Sequence, residues 1–378
     1  MKATVLQENF NKGLGVMGRV ITVRGQLPIL GNVLVEAGKE GLTLSATNLE
    51  IGLRMEIGGK VTEEGAITVP AKNLGEFVGL LSEGGVDLTT EGEKLKIEAG
   101  KAVAVFAGIA AQEFPIMPKL GGKGALRQAQ GKQQRFKVSK KMIGEVASQV
   151  AFAAAADESR PVLTGIKFFQ SGEGMAAVAT DGFRLSRMTI AGIEENDWGS
   201  GLILPARTLL ELARLAADGK KEEVEMEKAE ENNQVIFGYD KLQLVSRVLE
   251  GNFPEVDKII PTEFKTQVAV DREEWLRAVR SVSIFARDNA NIIRFAVHGS
   301  ALTVKAVAQQ TGESEIEMEA EKEGEDGEIA FNFRYLVDFL SSGTAERVRF
   351  KMSGSLAPGV FSFEGSDKLI HLIMPVRV

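Results

Sequence analysis

Apolar positions recur along this chain with two periods, and the alternation between them is repeated three times. Leu6, Phe10, Leu14, Met17 and Ile21 lie three to four residues apart, which puts them on one face of a helix. Ile143, Val146, Ala147 and Val150 form a second such stripe, and Trp275, Val279, Val282 and Phe285 a third. Short β-rich runs follow each stripe: Leu42–Thr47, Met175–Thr180 and Ala301–Ala306. Their polar alternation fits strands with one buried face. A second helix then follows a strand end, after Ile67-Thr68-Val69-Pro70, after Leu202-Ile203-Leu204-Pro205 and after Ile329-Ala330-Phe331-Asn332. In the first two cases a proline closes the strand and opens the helix, where its missing N–H does no harm. Proline signatures close the blocks: Phe114-Pro115 with Pro118, Phe253-Pro254 with Pro261, and Ile373-Met374-Pro375.

Three copies of one plan make this a repeat-built α+β chain. Helices are predicted over 6–21, 71–82, 139–151, 206–216, 271–286 and 333–341, with about eight short strands in each block. Consecutive short strands favour mostly antiparallel sheets with the helices on one face. The blocks are read as 1–120, 136–261 and 262–378. Residues 121–135, rich in Gly and Gln, read as a linker. The acidic stretch from Glu319 to Glu328 reads as a solvated loop.

Composition narrows the chemistry. A length of 378 residues allows two to four domains at roughly 100–200 residues each. The absence of cysteine excludes disulfides, thiolate metal sites and a cysteine nucleophile. Two histidines, His298 and His371, are too few for a His-rich zinc site, so neither metal nor cofactor is expected. The chain has no stretch of 18 apolar residues and its N-terminus shows no signal-peptide pattern, so a cytoplasmic protein without a membrane partner is expected.

The net charge of −7 argues against a polyanion binder over the whole surface, but distribution matters more than the sum. The six predicted helices carry eleven basic residues: Lys12, Arg19, Lys72, Lys140, Lys141, Arg207, Arg214, Arg272, Arg277, Arg280 and Arg334. Against eight acids they sum to +3, which leaves −10 on the rest of the chain. A modestly basic helical surface is suited to facing phosphates without gripping them.

Catalytic motifs are missing. No Walker A loop, Gly-x-Ser-x-Gly elbow or His-Glu-x-x-His occurs. His371 lies in a strand-like run, and His298 precedes Gly299 at an expected hairpin. Asp181-Gly182 has the repeat partner Asn48-Leu49, so a turn after a strand is expected there. The enzymatic alternative is a repeat-built nucleotide- or sugar-processing enzyme using Asp181 and Arg184. That reading needs an acidic triad or metal dependence, and the sequence offers neither.

Several strings point to a family. Leu27-Pro28-Ile29-Leu30-Gly31-Asn32 and Leu44-Ser45-Ala46-Thr47-Asn48-Leu49-Glu50-Ile51 stand in the first block. Glu158-Ser159-Arg160-Pro161-Val162-Leu163-Thr164-Gly165-Ile166 and Ala179-Thr180-Asp181-Gly182-Phe183-Arg184-Leu185 stand in the second, and Ile373-Met374-Pro375-Val376-Arg377-Val378 ends the third. Over its whole length the chain resembles the bacterial replicative sliding clamps, the beta subunits of DNA polymerase III. The resemblance implies three clamp domains with the boundaries given above and a head-to-tail homodimer closing a ring around duplex DNA. It further implies no catalysis, with DNA polymerase and clamp-loader subunits docking through short peptides. Three repeats per chain favour a dimer over the trimer of two-domain subunits known in eukaryotes and archaea.

The family's peptide pocket maps onto Leu163, Thr180, Gly182, Phe183, Arg184, Leu185, Pro254, Ile259, Val360, Met374, Pro375, Val376 and Arg377. Apolar walls with an adaptable methionine suit a short, partly apolar peptide, and Arg184 and Arg377 suit backbone or carboxylate groups. Phe183 replaces a histidine common in the family, and Val378 a leucine. Arg24 maps onto a DNA contact; Lys12, Lys72, Lys140, Lys141, Arg207, Arg214, Arg277 and Arg280 are further DNA-facing candidates. Ala104 and Phe106 of one chain are expected to meet Ile284 and Phe285 of the other.

Overall fold

The computed structural model describes residues 1–21, 27–121, 135–172, 174–190, 201–217, 219–229 and 233–377. Among these, ten, eight and nine strands fall in the three blocks, and every pairing is antiparallel. Contacts divide the chain into two compact units, Met1–Lys140 with Leu215–Val248 and Lys141–Arg214 with Leu249–Val378. The division cuts through the middle block because each unit is built on a sheet that takes strands from two blocks.

In the first unit a nine-stranded sheet runs in the order Ile109–Ala110, Gly65–Pro70, Asn32–Gly38, Gly41–Thr47, Ile51–Gly58, Leu242–Arg247, Gln234–Tyr239, Glu223–Ala229 and Arg135–Ser139. In the second unit the order is Leu202–Pro205, Gly165–Ser171, Gly174–Thr180, Arg184–Ile190, Leu369–Ile373, Gly359–Phe363, Arg347–Met352, Thr266–Asp271 and Glu321–Gly324. The plan is the same: strands of one block join edge to edge to strands of the next, five to four in the first unit and four to five in the second. The join is Ile51–Gly58 on Leu242–Arg247 in one unit and Arg184–Ile190 on Leu369–Ile373 in the other. Two half-sheets remain. Lys60–Glu63, Lys2–Leu6, Gly85–Glu91, Lys94–Ala99 and Ala102–Ala107 belong to the first unit; Gly312–Glu319, Ala301–Ala308, Ile292–His298 and Gly327–Asn332 belong to the second.

Six helices occupy the predicted places: α1 Gln7–Met17, α2 Ala71–Gly79, α3 Lys140–Gln149, α4 Ala206–Ala217, α5 Arg272–Ala286 and α6 Phe333–Ser341. Helix α1 stops four residues before the end of its apolar stripe. Its last turn tightens after Met17, where Arg19 and Val20 donate to Val16 and Met17 carbonyls, so Val20 stays buried outside the helix. Where the first two blocks have a proline before the second helix, the third has Asn332, whose side chain accepts from the Arg334 amide at 3.0 Å. Asp271 caps α5 in the same manner through the Glu274 amide. Helix α5 buries Trp275 against Phe295, Phe350 and Phe361, an aromatic core that continues through Phe331 and Phe339 to His371.

Two sequence expectations are corrected. The acidic stretch is not a loop: Glu321–Gly324 forms a strand on Thr266–Asp271 at the sheet edge. Charged side chains on an edge strand discourage pairing with other chains and hide the strand's apolar signal. Arg135, placed at the end of the linker, opens the strand Arg135–Ser139. Both described ends of that segment meet on the buried Glu227, whose Oε2 accepts from the Gly121 amide at 3.1 Å and from Arg135 Nε at 2.7 Å. Residues 122–134 lie outside the described residues.

Candidate functional site

The site grows from a turn. Thr180 ends one strand and Arg184 begins the next, and between them the chain reverses in three residues. Gly182 takes φ +93°, a conformation in which a Cβ would be strained. Asp181 Oδ1 accepts from the Phe183 and Arg184 amides at 2.8 and 3.0 Å, and Thr180 Oγ1 donates to the Arg184 carbonyl. Phe183 is thereby held out into solvent at the apex. The C-terminal segment runs alongside: the Met374 amide donates to the Phe183 carbonyl at 2.8 Å, and the Val376 amide to the Ala330 carbonyl at 2.8 Å.

The first unit contains the same turn. Asn48 Oδ1 accepts from the Glu50 and Ile51 amides, Thr47 Oγ1 donates to the Ile51 carbonyl, and the Arg247 amide donates to the Glu50 carbonyl. An amide does there what the Asp181 carboxylate does here, so the expected turn is the role of both positions. Asp181 Oδ2 is taken by Arg184 Nε at 3.0 Å. No carboxylate in this turn is left free for acid–base chemistry, and no group of three metal-ligating residues exists among the described residues.

Arg184 is the most heavily engaged side chain of the site. It is 11% exposed, pairs with Asp181 and with Asp338 on α6 at 2.5 Å, and lies over the rings of Tyr335 and Phe152 at 4.7 and 5.6 Å. Burial, with Asp181 and Asp338 nearby, raises the Tyr335 hydroxyl above its ordinary pKa. Below lies His371, stacked on Phe339 with ring centroids 5.0 Å apart. Burial first, and the Arg184 charge second, lower its pKa to about 3. The Ser186 hydroxyl donates to the Gln149 carbonyl at 2.8 Å, so its oxygen accepts from His371 Nδ1–H at 3.0 Å. His371 is therefore a neutral strand residue, as the sequence suggested. His298 ends a hairpin strand before Gly299 and pairs with Asp326 in solvent.

Of the thirteen positions singled out, Leu163, Leu185 and Val360 are buried in one apolar cluster with Phe253, Val256 and Leu372. Thr180 is buried in the turn, while Phe183, Pro254, Ile259 and Met374 are exposed around this cluster and Gly182 is exposed at the apex. Pro375 is half-buried. Val376 and Arg377 line a cavity of about 430 Å³ with Arg294, Ala330 and Leu356. Val360, 7% exposed, is core; the exposed apolar residue beside the tail is Leu356, at 66%. Sequence reasoning missed Leu356, although a lone leucine in the loop Ser353-Gly354-Ser355-Leu356-Ala357-Pro358 was its available signal.

Among the DNA-facing candidates, Lys12, Lys72, Lys141, Arg207, Arg214, Arg277 and Arg280 are exposed on helices. Lys141, Arg214 and Arg277 pair with acids one turn away on their own helices, at 3.9, 3.0 and 4.0 Å. Lys140 is half-buried and donates to the Gly219 carbonyl. Arg24 and Val378 lie outside the described residues. With the observed boundaries the helices hold ten basic and seven acidic residues and keep a net +3.

Ala104 and Phe106 share one face of the edge strand Ala102–Ala107, half-buried, with the Phe106 ring 5.8 Å from Phe77 of α2. The other face presents Val103 and Val105, 56% and 57% exposed. Ile284 is exposed on α5, and Phe285 is half-buried beside Gly312.

Comparison with known proteins covers nearly the whole chain. Profiles of the DNA polymerase III beta subunit match in three parts: the N-terminal domain at residues 1–118, the central domain at 137–255 and the C-terminal domain at 257–377. A beta sliding clamp from Synechocystis is 31% identical over 403 aligned positions, spanning all of both chains. The crystal structure of a sliding clamp (DNA polymerase III subunit beta) from Pseudomonas aeruginosa bound to griselimycin is 27% identical with a TM-score of 0.89, again over all of both chains. The fold is shared with the Bacillus subtilis DNA polymerase sliding clamp, at a TM-score of 0.91 and 23% identity over 100% of this chain and 99% of that one.

Proposed function

The chain belongs to the DNA polymerase III beta-subunit family and is a replicative sliding clamp, a processivity factor and not an enzyme; on that premise we propose that two copies close head to tail around duplex DNA.

One observation supports the ring most strongly. The chain uses the same edge-to-edge join twice and has one unused partner of each kind left over. By repeat position, Ala102–Ala107 corresponds to Leu242–Arg247 and Leu369–Ile373, which each join a neighbouring block. Gly312–Glu319 corresponds to Ile51–Gly58 and Arg184–Ile190, the strands that receive them. Both leftovers are edge strands, whose unpaired N–H and C=O groups seek a partner. Pairing one copy's Ala102–Ala107 with the other's Gly312–Glu319 repeats the internal join and closes after two copies. Charge favours this pairing: Glu313 and Glu315, which share Lys305, line one edge with Glu317 and Glu319, and Lys94, Lys101 and Lys96, the last paired with Glu98, flank the other. Ile284 and Phe285 of one copy, with Ala104 and Phe106 of the other, are the apolar part of the interface on the helix side of the sheet.

Three clamp domains, 1–120, 136–261 and 262–378, then place six helices per chain towards the DNA. Their weak positive charge suits a protein held on DNA by topology. Each strong phosphate contact would add a salt-dependent grip and slow sliding. The exposed apolar residues Phe183, Ile259, Met374 and Leu356 are the docking surface for short peptides of DNA polymerase and clamp-loader subunits in the bacterial cytoplasm. Tyr335 and Arg184 form its polar wall.

Primer extension on a long circular template tests this. With its cognate polymerase and loader, the chain should lengthen products of a single binding event many-fold. Products of unchanged length would reject the reading.

A further inference from the structure

We propose that Asp338, on helix α6, is a positioning residue for the peptide-docking surface, acting through Arg184. The inference rests on the docking reading above and deepens it.

The geometry forms a continuous chain of contacts. Asp338 and Tyr335 are three residues apart on α6 and so share a face. Together they hold one guanidinium, Asp338 through Arg184 Nη1 at 2.5 Å and Tyr335 through its ring face at 4.7 Å. Arg184 Nε is bonded in turn to Asp181 Oδ2. The other Asp181 oxygen fixes the amides of Phe183 and Arg184, and the Phe183 carbonyl fixes the Met374 amide. Two exposed apolar groups of the surface, Phe183 and Met374, are thus oriented from α6 through a single nearly buried cation.

Asp181 alone leaves that cation half-satisfied. One of its oxygens is committed to backbone amides, which leaves one for a guanidinium with five N–H donors. A second carboxylate fixes both the charge and the plane of the fork. Lysine, with a point charge on a flexible stem, cannot make the Nε and Nη1 bonds together. The first unit offers an internal comparison: there Asn48 holds the turn and Ile51 occupies the position of Arg184, so the turn folds without this network. The Asp338–Arg184 link is therefore an addition at the docking turn, steadying a backbone that can fold without it.

The test uses the full-length protein and griselimycin, the ligand of the Pseudomonas aeruginosa relative, with affinity read by calorimetry. Asp338→Asn is expected to weaken binding roughly tenfold, which corresponds to about 1.4 kcal/mol. Asp338→Glu should recover most of the loss, and Arg184→Lys should resemble Asp338→Asn. The double variant Asp338→Asn with Arg184→Lys should bind no worse than either single one, because both break the same link. Hydrogen exchange separates positioning from general loosening: in Asp338→Asn the Phe183 and Arg184 amides should exchange faster while α5 amides around Trp275 keep their protection. A variant lacking residues 374–378 serves as the control. If it loses griselimycin while Asp338→Asn binds as wild type, the positioning role is wrong and the docking surface stands. If the truncated protein binds normally, the docking surface is misplaced and the proposal falls with it.

Discussion

The Met374 amide donates to the Phe183 carbonyl at 2.8 Å, and the Arg247 amide donates to the Glu50 carbonyl at 2.9 Å in the corresponding place of the first unit. The two bonds are one structural device used twice. In the first unit the strand continues into Val248 and the rest of the chain. In the second the chain runs on past Met374 to Val376, whose amide donates to the Ala330 carbonyl at 2.8 Å.

Removal of residues 374–378 should leave the second unit folded, because its aromatic and aliphatic core lies in the strands and in α5. Binding of polymerase and loader peptides should weaken by on the order of 2 kcal/mol or more, the loss expected when an anchoring wall is removed. Fluorescence anisotropy with a labelled loader peptide measures it, and unchanged affinity would move the docking surface elsewhere.

His371 should make the second unit acid-sensitive. Its pKa is lowered from 6.5 to about 3 in the folded protein. Between those values the unfolded chain binds a proton that the folded chain refuses. The stabilisation is complete above pH 6.5 and is lost by about 1.4 kcal/mol per unit as pH falls towards 3. His371→Phe keeps the stack on Phe339 and removes the titration. Urea unfolding from roughly pH 7 down to 4 should give a flatter stability profile for the variant than for the wild type; parallel profiles would refute the assignment.

The ring interface predicts that Ile284→Ala with Phe285→Ala yields monomers at micromolar concentration, since burying each such side chain contributes roughly 1.5–3 kcal/mol. Val103→Glu with Val105→Glu should do the same from the other side by placing carboxylates opposite Glu313, Glu315 and Glu317. Phe106→Ala acts on the same apolar contact and on the packing against Phe77. Sedimentation equilibrium decides; an undiminished dimer in both double variants would mean that these edges do not meet.

The repeat, the helices and the antiparallel class were legible because periods of 3.6 and 2 survive in any well-buried element. Strand partners were not. Alternation tells which face of Leu242–Arg247 is buried but not that its neighbour is Ile51–Gly58, from a different block. The docking turn was readable from Asp181-Gly182 and its counterpart Asn48-Leu49 because turn chemistry is local. Asp338 was not, since it meets Arg184 across 154 positions of sequence and nothing nearby in the chain marks it. Val360 is buried in the same apolar cluster as Leu163 and Leu185, and Leu356 is the exposed apolar residue that lines a cavity with Val376.

Contact with DNA should be spread thinly. Lys12→Ala and Lys72→Ala remove exposed charges that have no ion-pair partner among the described residues. Each should lower affinity for open linear duplex only slightly and reduce the salt slope by about 1. A single substitution that abolishes binding would point to a specific site instead.

Retention on DNA tests the central claim most directly. The protein is loaded onto a nicked circular duplex by its cognate loader, separated from free protein by gel filtration, and followed before and after the circle is cut. A topologically held ring remains with the circle through salt of roughly 200 mM, where phosphate contacts are already weak, and is released when the ends become free. Equal retention on circular and linear DNA would contradict encirclement and mean that the chain holds DNA by direct contact.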